Sequence, residues 1–328
     1  MAIDGHKLEV RLGYGAGGEV WRVQRADGSQ CALKCAPRGA LGDAASEARF
    51  RREFEQLRTL RLPNVVRVHD IGADDQFVWF TMDEASGTTF DLYVRAGVGL
   101  ADQALRLVRA GAGVARALAA IHRLGLAHRD IKPANMLVDD AGRPTVLDFG
   151  TARFAAAHDG SSELMGTVSY MSPEQRIGLP NDKRVDIYAF GVTLHEALTG
   201  LPAGGWKPGR PRAPLCKLGP QVHRALSWLV DRMLSLDPAS RPGADEVESV
   251  LGALAEGGHL APAPWPAMTS YAGDASALLS ANAVVVGHPG TGRRRMVQEA
   301  RWQWYRKGYR SIAGRCAPER PFGPFRAI

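Results

Sequence analysis

Residues 128–135 read His-Arg-Asp-Ile-Lys-Pro-Ala-Asn, placing a carboxylate (Asp130), a cation (Lys132) and a carboxamide (Asn135) in one short loop. Moving a phosphoryl group onto a hydroxyl needs three things. A carboxylate must orient the hydroxyl and take its proton, positive charge must offset charge on the phosphoryl oxygens, and oxygen ligands must hold Mg²⁺. The loop supplies one of each. Asp148, heading Asp148-Phe149-Gly150, adds a second carboxylate for the metal. Both strings in this order and spacing leave little room for coincidence.

Upstream, Gly13, Gly15 and Gly18 form G-x-G-x-x-G, with Val20 two residues on. The motif alone is weak, because dinucleotide-binding folds share it. Here it joins two strand patterns rather than a strand and a helix, which argues against a dinucleotide fingerprint. Glycines in such a turn let backbone amides approach a polyphosphate. Lys34 lies mid-strand in Ala32-Leu33-Lys34, a strand apolar on both faces, where an unpartnered charge is costly. Glu53 offers a partner. It borders the buried face of a helical pattern marked by Phe50, Phe54, Leu57 and Leu60. Glu47 and Glu55 are alternatives; the setting Arg52-Glu53-Phe54 favours Glu53.

The elements that must position these groups follow from periodicity. Strands are expected at 8–12, 19–23, 31–36, 65–71 and 77–82, with a helix over 44–60. After Gly87 the character changes. A long Ala/Leu/Val-rich helix is expected over 101–124, short strands at 136–138 and 145–147, and a polar loop from 151 to about 171. Helices follow at 187–198, 221–234 and 244–254. This predicts a small β-rich lobe joined to a larger helical one.

Ser172-Pro173-Glu174, Asp186-x-Tyr188-x-Phe190-Gly191 and Arg241 complete the order. With them, residues 8–254 resemble the Hanks-type (eukaryotic-like) serine/threonine protein kinases of bacteria. The resemblance implies an α+β bilobal kinase fold over 1–255, with an N-lobe of about 1–83 and a C-lobe of about 88–255. It implies ATP and Mg²⁺ as cofactors. Asp130 is then the catalytic base, Lys132 meets the γ-phosphate, Lys34 (paired with Glu53) meets the α/β-phosphates, and Asn135 and Asp148 hold Mg²⁺. Leu12, Gly13, Gly15, Gly18, Val20 and Ala32 would enclose the nucleotide. Met82 resembles the gatekeeper, which places adenine-facing backbone at Asp83 and Ala85. Thr167, in a segment resembling the substrate-docking loop, would bridge Asp130 and Lys132. Glu174 would pair with Arg241, and Asp186 would hold the catalytic loop through its backbone. Lys132 marks the serine/threonine class. Arg129 suggests activation-loop phosphorylation, with Ser161 and Ser162 as acceptors. Three positions depart from the pattern: Gly17 replaces an aromatic, Ser172 replaces alanine, and the hinge Asp83-Glu84-Ala85-Ser86 is unusually acidic.

The expected partners are proteins bearing Ser or Thr, and a second copy of the chain for trans-autophosphorylation. Two other readings compete. A scaffold that senses nucleotide without transferring phosphate is opposed by intact Lys34, Asp130, Asn135 and Asp148. A small-molecule phosphotransferase is opposed by the Ser-Pro-Glu and docking segments.

Bulk properties agree with a globular protein. Of 328 residues, 45% are hydrophobic and 23% charged, enough to build a sizeable core. No apolar run is long enough to span a bilayer or serve as a leader, so a cytoplasmic location is expected. The net charge of +7 is spread arginine, apart from Arg293-Arg294-Arg295. Without interleaved aromatics it reads as a solvated basic face rather than a nucleic-acid surface. Of the four cysteines, Cys31 and Cys35 share a strand face about 13 Å apart, beyond disulfide reach.

Residues 256–269, rich in Pro, Gly and Ala, read as a linker. Next, 283–286 reads as a strand leading into Gly287-His288-Pro289-Gly290-Thr291-Gly292-Arg293-Arg294 and a helical stretch. That is the context of a P-loop, but arginines stand where lysine and the Mg²⁺-binding hydroxyl belong. Residues 270–328 resemble the start of an AAA/STAND-like ATPase module; an irregular regulatory tail is the alternative.

Overall fold

The chain opens as sheet because its apolar residues alternate, and alternation puts successive side chains on opposite faces. A computed structural model describes residues 2–15, 18–25, 28–38, 51, 54–55, 58, 61–147, 168–179, 182–202 and 214–257. All fall within one compact unit, Met1–Pro208 with Ala213–Leu260. The segment 270–328 therefore lies outside the described residues.

Six strands form an antiparallel sheet in the order β1-β2-β3-β4-β6-β5. They are β1 (Ala2–Ile3), β2 (His6–Gly15), β3 (Gly18–Gln24), β4 (Gln30–Pro37), β5 (Val68–Ala73) and β6 (Phe77–Met82). Strand β4 is buried on both faces. Cys31, Leu33 and Cys35 pack outward with Val23, Trp79 and Ile3. Ala32 and Ala36 pack inward with Phe80 and Met82, so alternation turns Lys34 inward too. Asp4 and Gly5, at φ of +46° and +79°, turn β1 back so that Ile3 caps the outer face. Cys31 and Cys35 are free thiols. Burial, then the charge of Glu19, pushes the Cys35 thiol up to about 11, which makes it a core residue rather than a nucleophile.

Of the stretch 44–60, the structure describes Arg51, Phe54, Glu55 and Arg58, all helical. Phe54 packs on Phe80 with ring centroids 5.5 Å apart. Glu53 lies outside the described residues.

The strand expected at 65–71 begins at Val68 instead, because residues 64–66 pair elsewhere. Val66 N–H donates to Val146 O (2.9 Å) and Val146 N–H to Asn64 O (2.8 Å), stitching the N-lobe to strand β9 (Pro144–Val146). Asn64 adopts φ +59°, and its amide donates to Pro144 O at 2.9 Å. Asparagine tolerates this left-handed conformation, and its side chain completes the stitch. Asn64→Ala should cost about 1–2 kcal/mol, read as a lower denaturant midpoint at constant m. Asn64→Gly, which relieves the backbone, should cost less. A neutral Asn64→Ala would show that the stitch does not carry stability.

The C-lobe is built on α2 (Gly99–Arg123), whose Leu107, Val114, Leu118 and Ile121 are fully buried. A Cβ on Gly113 would lie 2.5 Å from the Pro144 ring; glycine there lets α2 lie against β9. Helix α4 (Arg184–Thr199) is buried along nearly its whole length and ends at Gly200 in the left-handed region. Helix α5 (Arg224–Met233) starts three residues later than expected, because the His223 ring caps it by accepting from Ala225 N–H. Helix α6 (Ala244–Ala255) closes the lobe. Four short elements were not foreseen: β1, β7 (Thr88–Thr89), α1 (Phe90–Arg95) and α3 (Pro173–Arg176). Phe90 and Val94, one turn apart and fully buried, were the available signal for α1. Among the described residues, no helix is long and apolar enough to cross a membrane.

Candidate active site

The glycine motif forms the turn of the β2–β3 hairpin, with Gly13 opposite Val20 and Gly15 opposite Gly18. The pairing shifts register between Arg11 and Gly13, and Leu12 in that irregularity is 41% exposed. Gly18 has φ +106°, and a Cβ there would stand 2.1 Å from the Cys35 carbonyl oxygen. The position therefore demands glycine for packing as well as conformation. Cross-strand pairing sets Val20 opposite Lys34 and Arg22 opposite Ala32. It also sets Lys34 opposite Phe80 and Ala32 opposite Met82. Directly opposed residues share a face, so Val20, Ala32 and Lys34 line one surface, with Lys34 only 5% exposed.

Beyond β6, Asp83 N–H donates to Arg67 O at 2.9 Å. The Asp83 carbonyl is thus the group it can offer to a base edge. Ala85 follows, half-buried.

The loop at 128–135 is held from beneath. Asp186, on α4 and fully buried, accepts from His128 N–H (2.8 Å), Arg129 N–H (2.7 Å) and the His122 ring (2.9 Å). Three donors satisfy a carboxylate that burial would otherwise penalise. They also hold Arg129 at φ +67°, a conformation costing about 1–2 kcal/mol in a residue with a side chain. The His128 ring is fully buried. Its Nε2 donates to Leu147 O at 2.6 Å, and its Nδ1 accepts from Asp130 N–H at 3.3 Å, which defines the Nε2-protonated tautomer.

Above this base the three chemistry-bearing side chains converge. Lys132 Nζ lies 3.0 Å from Asp130 Oδ2. Asn135 Nδ2 donates to both the carbonyl and Oδ2 of Asp130, each at 2.8 Å. The short 3₁₀ turn Pro133–Asn135 leads into β8 (Met136–Val138), which pairs with β9. Leu147 N–H donates to Asn135 O at 2.9 Å, placing residue 147 beside the loop. Asp148, the next residue, and Thr167 lie outside the described residues.

Below the site, Arg241 and Glu174 form a bidentate pair (2.6 and 2.8 Å). Arg241 also donates to Ser235 O and Arg184 O, and its guanidinium lies 4.8 Å from the Tyr188 ring centre. The structure thus brings Asp130, Lys132 and Asn135 together, and Glu174 with Arg241. It puts Lys34, Val20 and Ala32 on one face. Sequence reasoning missed Asn64, the His122 and His128 ring contacts, and an Arg22–Glu84 ion pair. The Pro63-Asn64 turn signal was there to read.

The protein kinase domain family matches residues 6–250. The serine/threonine-protein kinase PkaA of Streptomyces coelicolor is 33% identical over 277 residues, covering 76% of this chain and 50% of its own length. The serine/threonine-protein kinase pkn2 of Myxococcus xanthus is 32% identical over 275 residues, covering 77% and 33%. The solved kinase domain of PknI from Mycobacterium tuberculosis superposes with a TM-score of 0.61 at 28% identity, covering 78% of this chain and 98% of that domain. The chain belongs to the protein kinase family. It spans half or less of the length of these two curated relatives.

Proposed function

We propose that this chain transfers the γ-phosphate of ATP to serine or threonine hydroxyls of proteins, its own among them, in bacterial signalling. The convergence of Asp130, Lys132 and Asn135 on one buried anchor carries the reading. Among the described residues, both bonds to the Asp130 side chain fall on Oδ2, so Oδ1 can accept the hydrogen bond, and then the proton, of a substrate hydroxyl. Lys132, held by the same carboxylate, offers its ammonium to the oxygens of the transferred group.

The residues present fit ATP and Mg²⁺. Gly13 has open space where a Cβ would stand, and Lys34 brings a buried cation to the face it shares with Val20 and Ala32. Asn135 bonds Asp130 through Nδ2, which leaves its Oδ1 for a cation; Asp148 would be the second ligand. Bound Mg²⁺ supplies neutralising charge on the phosphates. Lys34, partnered by Glu53, would orient the α/β-phosphates, and Thr167 would bridge Asp130 and Lys132. Leu12, Gly13 and Gly15 would close over the nucleotide, and Asp83 and Ala85 would meet the base.

Ser161 and Ser162 are the proposed activation-loop acceptors, and the site is cytoplasmic on this reading. Residues 256–269 are read as a linker and 270–328 as the start of an AAA/STAND-like module with a degenerate P-loop. The test is phosphosite mapping by mass spectrometry after incubating the purified chain, alone and with a basic protein substrate, with Mg-ATP. Phosphoserine or phosphothreonine is expected. No phosphate on either protein, or phosphotyrosine alone, overturns the reading.

A further inference from the structure

The acidic hinge is not left to solvent. Arg22 of β3 donates through Nε to one oxygen of Glu84 (2.7 Å) and through Nη2 to the other (2.5 Å). This is a bidentate pair between residues 62 positions apart. Its side chains are 32% and 25% exposed, so it sits at a rim rather than in the core. The hydrogen bond and charge of Arg22 hold the Glu84 carboxyl below its ordinary range against the opposing effect of burial. The other hinge carboxylate, Asp83, bonds the ring of His69 on β5 at 2.7 Å.

Register shows what the first pair spans. Arg22 opposes Ala32, Ala32 opposes Met82, and Glu84 lies two residues past Met82. Arg22 therefore shares a face with Ala32 and Val20. To reach the hinge it must cross the width of β4, about 10 Å from its own strand to β6. That face and the hinge backbone are the two walls between which the nucleotide base is placed above.

We propose that the Arg22–Glu84 pair is a clasp across the outer rim of the nucleotide site, a positioning pair that sets how fast nucleotide leaves; this rests on the kinase reading. Neither side chain takes part in phosphoryl transfer. A bidentate guanidinium–carboxylate pair is directional. While closed, it fixes the spacing between the roof strand and the hinge, and a bound nucleotide can leave only by opening it or passing beside it.

The test uses the full chain, a fluorescent ADP analogue and four variants: Arg22→Met, Glu84→Gln, both together, and the charge-swapped Arg22→Glu/Glu84→Arg. Each single variant should speed release of the analogue by about fivefold, the size expected of a partly exposed pair. KM for ATP should rise in step while kcat is not lowered. The double variant should match the singles, and the swapped pair should restore slow release. Unchanged release in folded Arg22→Met and Glu84→Gln overturns the proposal. So does a fall in the unfolding midpoint of the nucleotide-free variants with release unaltered, since the pair is then structural only. If the unmodified chain does not bind the analogue at all, the kinase reading itself has failed, and the clasp fails with it.

Discussion

Replacing Asp130 with asparagine is expected to lower phosphate transfer by about 10²–10⁴-fold, the range a positioned general base contributes, while nucleotide binding survives. The substitution keeps the shape of the side chain. It leaves an oxygen that can still accept from Asn135, so the loop, pinned from below by Asp186, has no reason to move. What disappears is the oxygen proposed to take the hydroxyl proton and the negative charge beside Lys132 Nζ, 3.0 Å away. Phosphate incorporation and nucleotide affinity, measured on the same preparation, separate the two roles. A rate within tenfold of the unmodified chain would remove Asp130 from the reaction. Loss of nucleotide binding would instead mean that the loop has collapsed.

The second large effect concerns stability. Arg241→Ala or Glu174→Ala should each destabilise the fold by about 3–5 kcal/mol, because each leaves an opposite charge buried without its partner. Replacing both with apolar residues of similar size should cost far less than either single change. That non-additivity, read from denaturant unfolding of the four proteins, is the test. Equal and additive losses would mean the two residues do not act as a pair.

The pair also sets an acid limit. Burial pushes the Glu174 carboxyl up, but the bonds from Arg241, a backbone N–H and Ser172 together outweigh it. The folded value therefore falls below 4.5. A carboxylate depressed in the folded state contributes stability that is full above its unfolded value. That contribution is lost as pH falls from about 4.5 through the folded value. The apolar double variant should lack this part of the acid sensitivity.

The convergence of Asp130, Lys132 and Asn135 was legible in the sequence because it is local: they lie within six positions, and one loop brings them together. Strands β2 and β3 were legible from alternation, and β4 and β6 from short apolar runs bounded by polar residues. What escaped depends on partners far away in the chain. The residues at 65–66 look like the start of β5, yet they bond Val146, eighty positions on, and nothing local distinguishes the two pairings. Arg22 and Glu84 each read as ordinary surface charges. The acidity of the hinge was visible, but the cation that meets it was not. Helix α1 offered only one apolar pair at helical spacing, Phe90 and Val94. Glu53, Asp148 and Thr167, read from motif order, fall outside the described residues.

Strand β4 has a consequence for how Lys34 can be regulated. Packed above and below and paired on both sides, the strand fixes the backbone from which the lysine side chain starts. Turning the N-lobe as a rigid body would therefore carry the root of that side chain toward or away from a phosphate. An effector that tilts the lobe would then move the lysine without touching it.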